Sequence, residues 1–293
     1  MELAALRSFR EVCRLTSISA AAQTLGYTQS AVSRQIAALE RQLGSSLLER
    51  HARGVRPTPA GLVLLEHAHA IVTRAERAAE EITAVGRDQA ARLRVGAVPT
   101  AAATLLPRAL ARYARDRPGA RVTFVEDVTS KLLPRLREGE LDVAVVTDYP
   151  PGLPLLTGIE LVRLLDDPLC LLLPVGHRLA DQDTVDLAQL ADETWVEDDP
   201  GAATLLTGAC ARAGFTPRID IECGSLLGKQ AFVAAGFGIT LVPRLLTPAL
   251  RTDLLVRNLT DPPVRTVLAA STGRASEPTA RFLDALKAVV SGR

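Results

Sequence analysis

Two short helical patterns set either side of a single glycine, in SISAAAQTLGYTQSAVSRQIAALERQLG, constrain this chain more than any other stretch. Ser17 or Ser19 can cap the first, an Ala run with Leu25 makes it a short helix, and Gly26 supplies the stop with Tyr27 beside it. Thr28 then stands as the N-cap of a longer helix that ends near Gly44. Short helices joined by a tight glycine-containing turn make a helix-turn-helix. Upstream, Leu6, Phe9, Val12 and Cys13 fall at i, i+3, i+6 and i+7 within Leu3 to Leu15 and share a face that must bury against something close.

Projected at about 100° per residue, the longer helix separates into faces. Val32, Ile36, Leu39 and Leu43 cluster as the expected buried stripe, whereas Gln29, Ser30, Ser33, Arg34 and Ala37 lie along another arc. Those side chains are short or flexible, so the backbone can approach a surface closely. A DNA major groove admits such a helix, with Gln reading adenine edges, Arg reading guanine and Ser serving a base or a phosphate. The most polar positions sit in the first turn, where backbone N–H groups and the positive end of the dipole also favour phosphate. In LLERHARGVRPT, Leu47 and Leu48 anchor one strand, Val55 the other, and Ala52 to Gly54 the turn. Arg50, Arg53 and Arg56 are spaced along this ribbon as a wing for the DNA backbone or minor groove, or equally as solvated charges or partners of Glu49 or Glu40. Charge is distributed accordingly: residues 1 to 57 hold eight Arg, no Lys and four Glu, a net +4 in a chain whose total is +1. A basic head on a near-neutral body is the footprint of a domain that meets a polyanion.

These residues carry a resemblance. SISAAAQTLGYTQSAVSRQIAALERQLGSSLLERHARGVRPTPAG resembles the N-terminal domain of LysR-type transcriptional regulators at nearly every position. The resemblance implies that Gln29, Ser30, Ser33 and Arg34 face double-stranded DNA and that Arg53 belongs to the wing. His51 stands where a small hydroxylated residue is more usual and Pro57 where an aliphatic is commoner; Pro57 removes a ribbon hydrogen bond and is expected to shorten the wing.

Thr58 followed by Pro59 is an N-cap with proline at N1 and opens another helix. Leu65, Ala68, Val72, Ala75, Ala79 and Ile82 are then spaced as a heptad seam, which predicts a dimerisation rod; packing of this helix on its own domain is the competing explanation. A reader with one recognition helix needs a twin to hold two half-sites, and the resemblance agrees, since family members dimerise through this helix. The composition shift at Gly86 to Arg92 ends the rod.

Beyond it, strands and helices alternate. LRVGAV, RVTFVED and LDVAVVTD read as strands, separated by a helix with Leu106, Leu110 and Tyr113 on one face and by a second, begun by Thr129, with Leu132, Leu133 and Leu136. This predicts a mostly parallel sheet covered by helices. A second series runs through PLCLLLP, TWVED, a helix around Leu205 to Arg212, IDIE, a helix from Ser225 to Ala235, and GITLVP. VRTVLAAS and a last helix from Thr279 to Val290 then return to the first lobe, giving two crossovers and a cleft. The phrases LRVGAV, LLPRAL with PGARV, REGELDVAVV, PVGHRLA and FVAAGFGITLVP, in that order, resemble the LysR-type effector-binding domain, related in fold to periplasmic binding proteins. The resemblance implies ligand residues at strand ends and helix starts: Pro99, Thr100, Val128, Thr129, Asp198, Thr204, Gly224 and Ser225. Thr100, Thr129 and Ser225 could equally be plain helix caps. Asp127 sits where the family often has glycine, and Glu197, Asp198 and Asp199 crowd the opposite loop; if they reach the cleft they favour a neutral or cationic ligand, and otherwise they form a solvated acidic loop.

Nothing in the sequence points to catalysis, a metal or a cofactor. His51, His67, His69 and His177 are scattered, His67 and His69 are i, i+2 on a helix, and GAVPTAAA lacks the dinucleotide fingerprint. Cys13, Cys170, Cys210 and Cys223 show no metal-type spacing; reduced thiols of a cytoplasmic protein are one reading, and a thiol-based redox regulator, oxidising Cys210 with Cys223 or another pair, is the alternative. MELAALRSFR is no signal peptide, and the apolar run near Leu161 to Val175 is broken by Arg163, Asp166, Asp167 and Pro168, so neither a membrane protein nor an exported solute binder is expected. The expected fold is multidomain, α plus α/β: a winged helix-turn-helix over 1–57, a linker and dimerisation helix over 58–90, and a two-lobed α/β periplasmic-binding-protein-like domain over 91–293. Its lobes are expected at about 91–162 with 266–293 and about 163–265. Expected partners are DNA, a small-molecule effector, a second copy through the linker helix, and RNA polymerase.

Overall fold

A computed structural model describes residues 1–51, 54–85, 92–154, 157–197, 200–273 and 276–292. The chain forms two compact units, Met1–Ala91 with Arg137–Glu140, and Arg92–Leu136 with Leu141–Arg293. Among the described residues no helix is long and apolar enough to cross a membrane.

In the first unit, α1 (Leu3–Leu15), α2 (Ile18–Leu25) and α3 (Gln29–Leu43) pack around Leu6, Phe9, Val12, Ala21, Ala22, Val32, Ile36 and Leu39. Ser17 caps α2 by accepting the Ala20 N–H, and Gly26 ends it in the left-handed region at φ 70°, where its lack of a Cβ removes the strain. Thr28 accepts the Ala31 N–H at 3.2 Å and caps α3. Leu43 departs from the expected stripe: it is 43% exposed, because the last turn of α3 runs past the small three-helix core. A ribbon follows, β1 (Leu48–His51) antiparallel to β2 (Gly54–Pro57). It is tied to α1 by the Val55 N–H donated to Thr16 O, and a Cβ at Gly54 would stand 2.3 Å from that oxygen, so only glycine fits there. Pro57 does not shorten the ribbon as expected; it pairs with Leu48 at the strand end, where the missing N–H costs no ladder bond.

The rod is α4 (Pro59–Val85). Its seam is only partly free for a partner. Ala68 and Val72 are buried in the core of their own unit against α1, beside Leu64, and Leu65 is partly buried against that core, while Ala79 and Ile82 are exposed. The heptad spacing is real, but α1 occupies its first half.

The second unit holds β3 (Arg92–Ala97), α5 (Pro99–Ala102), α6 (Leu105–Asp116), β4 (Arg121–Glu126), α7 (Thr129–Arg137), β5 (Val143–Asp148) and β6 (Ile159–Pro174). Then come β7 (Thr184–Val185), β8 (Thr194–Val196), α8 (Pro200–Arg212), β9 (Arg218–Ile221), α9 (Leu226–Ala234), β10 (Thr240–Pro243), β11 (Leu254–Leu259), β12 (Val264–Thr272) and α10 (Glu277–Ser291). Strands β4, β3 and β5 are parallel, as the alternation predicts, and Val143 to Val146 are fully buried between helix layers. The parallel pattern then stops: β12 is antiparallel to β5 and β6, and β10 and β11 are antiparallel to β6. The 16-residue β6 is the spine of the unit. It pairs with β12 from Ile159 to Pro168, then with β10 and β11 from Leu169 to Pro174, and so passes from one hydrophobic core to another. Pro168 sits where the partners change, the position in a long strand that tolerates an absent donor. In the first core Tyr113 of α6 meets Phe282 of α10 edge to face, with ring centroids 5.9 Å apart; in the second, Trp195 is fully buried.

Candidate DNA-reading edge and ligand cavity

The α3 edge follows from the cap. Thr28 bonds both the Ala31 N–H and the Ser30 hydroxyl, at 3.1 Å, so the first turn is closed and Gln29 and Ser30 stand exposed on it. Ser33 is partly buried and Arg34 exposed. Next to that edge, Gln35 accepts a 2.5 Å hydrogen bond from the buried Ser8 of α1, which fixes the roll of α3 on its support. Neither Arg34 nor Arg56 has a hydrogen-bond or ion-pair partner among the described residues, and Arg56 is exposed on β2. The acids that might have neutralised the wing are engaged elsewhere: Glu40 accepts the Leu47 and Leu48 N–H groups, and Glu49 lies 3.1 Å from His51 Nε2. Arg50 stands on β1 opposite Val55; its side chain, and Arg53 with Ala52, lie outside the described residues.

The second unit contains a cavity of about 740 Å³ at the C-terminal ends of β3, β4 and β5. Pro99, Thr100, Val128, Thr129 and Gly224 line it, as expected from the resemblance. Ser225 and Thr204 are not on its wall, and Asp198 lies outside the described residues. Ser225 instead caps α9, accepting the Gly228 N–H at 3.3 Å. Neither threonine is a cap. Thr100 Oγ1 accepts from Arg265 at 2.8 Å, and Thr129 Oγ1 accepts the Thr147 N–H at 3.1 Å and donates toward Thr147 O at 3.2 Å. Most of the rest of the wall is apolar, with Val98, Leu133, Leu153, Leu169, Leu226, Leu241 and Val242 prominent, and Ser130, Thr147 and Tyr149 add polar groups.

Three charged side chains on this wall, Asp148, Lys229 and Arg265, escaped the sequence reading. Arg265, on β12, is buried and reaches Asp167 Oδ2 through Nε and Nη2, at 3.1 and 2.8 Å, and Tyr149 Oη through Nη1 at 3.2 Å. Asp167 Oδ1 accepts the Leu245 N–H at 2.7 Å, which completes the pair's hydrogen bonding. Lys229, on α9, is buried and paired with the buried Glu197. A charged residue inside an apolar run, Lys229 in LLGKQAFVAA and Asp167 in LVRLLDDPLCLLLP, was the available signal. The acidic loop is therefore not a solvated one at Glu197. Nor does Asp127 join the wall: it accepts the Val128 N–H at the start of α7 and lies 3.7 Å from Lys131 Nζ.

The cysteines divide by environment. Cys170 and Cys210 are buried, Cys13 and Cys223 partly so. Burial pushes the Cys13 and Cys210 thiols up to about 11 and raises that of Cys170 as well.

Two family models match: the bacterial regulatory helix-turn-helix protein of the lysR family over residues 3–62, and the LysR substrate binding domain over residues 86–291. The chain belongs to the LysR family of transcriptional regulators. This LysR-type regulator is 36% identical over 250 residues to a probable hydrogen peroxide-inducible genes activator of Mycobacterium avium, covering 84% of this chain and 79% of the relative. It is 32% identical over 249 residues to the Hca operon transcriptional activator HcaR of Escherichia coli, covering 83% and 82%. Among solved structures it resembles full-length OxyR C199D of Pseudomonas aeruginosa, with a TM-score of 0.72, 26% identity and coverage of 99% and 94%. It also resembles full-length CbnR in complex with its target DNA, with a TM-score of 0.72, 25% identity and coverage of 99% and 100%. As in the rest of its family, a helix-turn-helix and an effector-binding domain share one regulator chain.

Proposed function

We propose that this LysR-type regulator reads a pseudo-palindromic operator as a dimer, through Gln29, Ser30, Ser33 and Arg34 in the major groove and Arg50, Arg53 and Arg56 on the backbone or minor groove. The observation that carries the reading is the exposed start of α3, closed by Thr28, next to an Arg34 that has no partner among the described residues. In this reading residues 1–57 bind DNA, 58–90 link and dimerise, and 91–293 sense a small molecule in the 740 Å³ cavity, a size that suits such ligands. The dimer surface uses Ile71 and Ile82, two exposed apolar residues of α4 that share a helix face, instead of the full heptad seam. The protein acts by binding, not by catalysis, and works in the cytoplasm. A ligand alters operator binding only by as much as it prefers one lobe arrangement over another.

Selection from a random duplex pool by the full-length protein tests the reading. It should enrich two inverted half-sites about one helical turn apart, or a multiple of that spacing; a single unpaired half-site, or no enrichment, would count against dimeric sequence reading.

The peroxide-inducible relative keeps a second reading open, that of a thiol sensor. Burial opposes it at Cys13 and Cys210, since a thiol held near 11 is on the order of 0.01% thiolate at neutral pH, and it shifts Cys170 in the same direction.

A further inference from the structure

We propose that the cavity takes an organic cation, an apolar body carrying an ammonium group, and that Asp148 is the residue that recognises it. The inference rests on the cavity being the effector site and names the class of effector.

Asp148 ends β5 and lies on the cavity wall, and its Oδ1 is buried with no hydrogen-bond partner among the described residues. The two other charges on the wall are already matched, Arg265 by Asp167 and Lys229 by Glu197. With those two pairs neutral, the wall carries the one negative charge of Asp148. An ammonium group bound at the wall is attracted by that carboxylate, whereas a bound carboxylate adds repulsion.

Several of the groups that could welcome an anion are engaged within the protein. Asp127 lies at the start of α7, where its Oδ1 accepts the Val128 N–H, and the Ser225 hydroxyl serves the first turn of α9. The Thr129 hydroxyl has committed its proton to Thr147 O. Arg265 has donors on Asp167, Tyr149 and Thr100. The Ser130 hydroxyl also lines the wall, but the charge that the cavity leaves unmatched is that of Asp148, set among leucines, valines and prolines.

Calorimetry on the full-length protein at pH 7.5 with three probes of one shape tests this: 2-phenylethylamine, 2-phenylethanol and 3-phenylpropionate. The amine should bind at least about tenfold more tightly than the acid, the gain expected of a charge-assisted hydrogen bond in place of a repulsion. Asp148→Asn should bring the amine to the affinity of the alcohol, and Leu226→Trp, which fills the cavity, should abolish binding of the amine. A tighter acid, or an amine that Asp148→Asn leaves unchanged, overturns the assignment of charge and leaves the cavity as the effector site. Binding that survives Leu226→Trp, or failure of all three probes to bind, overturns the cavity reading together with it. If Asp148→Asn does not fold, the ranking of the three probes on the unaltered chain decides.

Discussion

Buried charges decide the chemistry of the α/β unit residue by residue. Lys229 and Glu197 are 32 positions apart, and Arg265 and Asp167 are 98 apart, yet each pair meets inside a core. Removing one partner of such a pair strands the other and costs about 3–5 kcal/mol. The thiols are governed by the same desolvation. At neutral pH Cys13 and Cys210 are held protonated by burial and Cys170 is shifted the same way, so stoichiometric peroxide should leave all three reduced by mass spectrometry. A reversible disulfide or sulfenate at Cys210 would instead establish the thiol-sensing alternative. At this scale the exposed positions were legible in advance, because Gln29, Ser30 and Arg34 follow from helical geometry and a cap alone. Lys229, Arg265 and Asp148 were not, because periodicity registers a polar residue within an apolar run but cannot say which distant partner it meets.

Among the elements, α3 was readable to its last turn and α4 only in outline. The 3, 4, 3 spacing of small and apolar residues marks a face of α4, and the physics of burial does not distinguish a partner helix from α1 of the same chain. Leu64, Ala68 and Val72 go to the core shared with α1; of the apolar residues that stay exposed, Leu62, Val63, Ile71 and Ile82, the last two share a face and, at 41% and 73% exposed, are the proposed surface for a second copy. Ile71→Glu combined with Ile82→Glu should therefore weaken the dimer by at least about tenfold in sedimentation, two buried charges being far more than an interface tolerates, with helicity retained. An undiminished dimer would show that assembly lies on another surface. PLCLLLP was legible as an element, but the first part of β6, from Ile159 to Asp167, was hidden for a different reason. Arg163, Asp166, Asp167 and Pro168 break its apolar pattern, and they fall within the segment where it pairs with β12 before changing to β10 and β11. A strand that serves two cores has no single alternation to detect. Helix starts were legible as positions but not as roles: Thr28 and Ser225 cap, whereas Thr129 spends its hydroxyl on Thr147.

For the whole molecule, order along the chain carried the architecture: a basic helix-turn-helix, a rod, then alternating strands and helices that return to their first lobe. The cleft could be placed at strand ends by the general logic of α/β sheets, while its charge balance emerged only from the packing. The central claim is that the α3 edge reads bases, and affinity for a selected duplex and for a scrambled one, measured across salt concentrations, tests it most directly. Arg34→Ala should lose about 1–3 kcal/mol on the selected duplex and little on the scrambled one, with the salt slope nearly unchanged. Unchanged affinity for the selected duplex in both Gln29→Ala and Arg34→Ala would contradict the account.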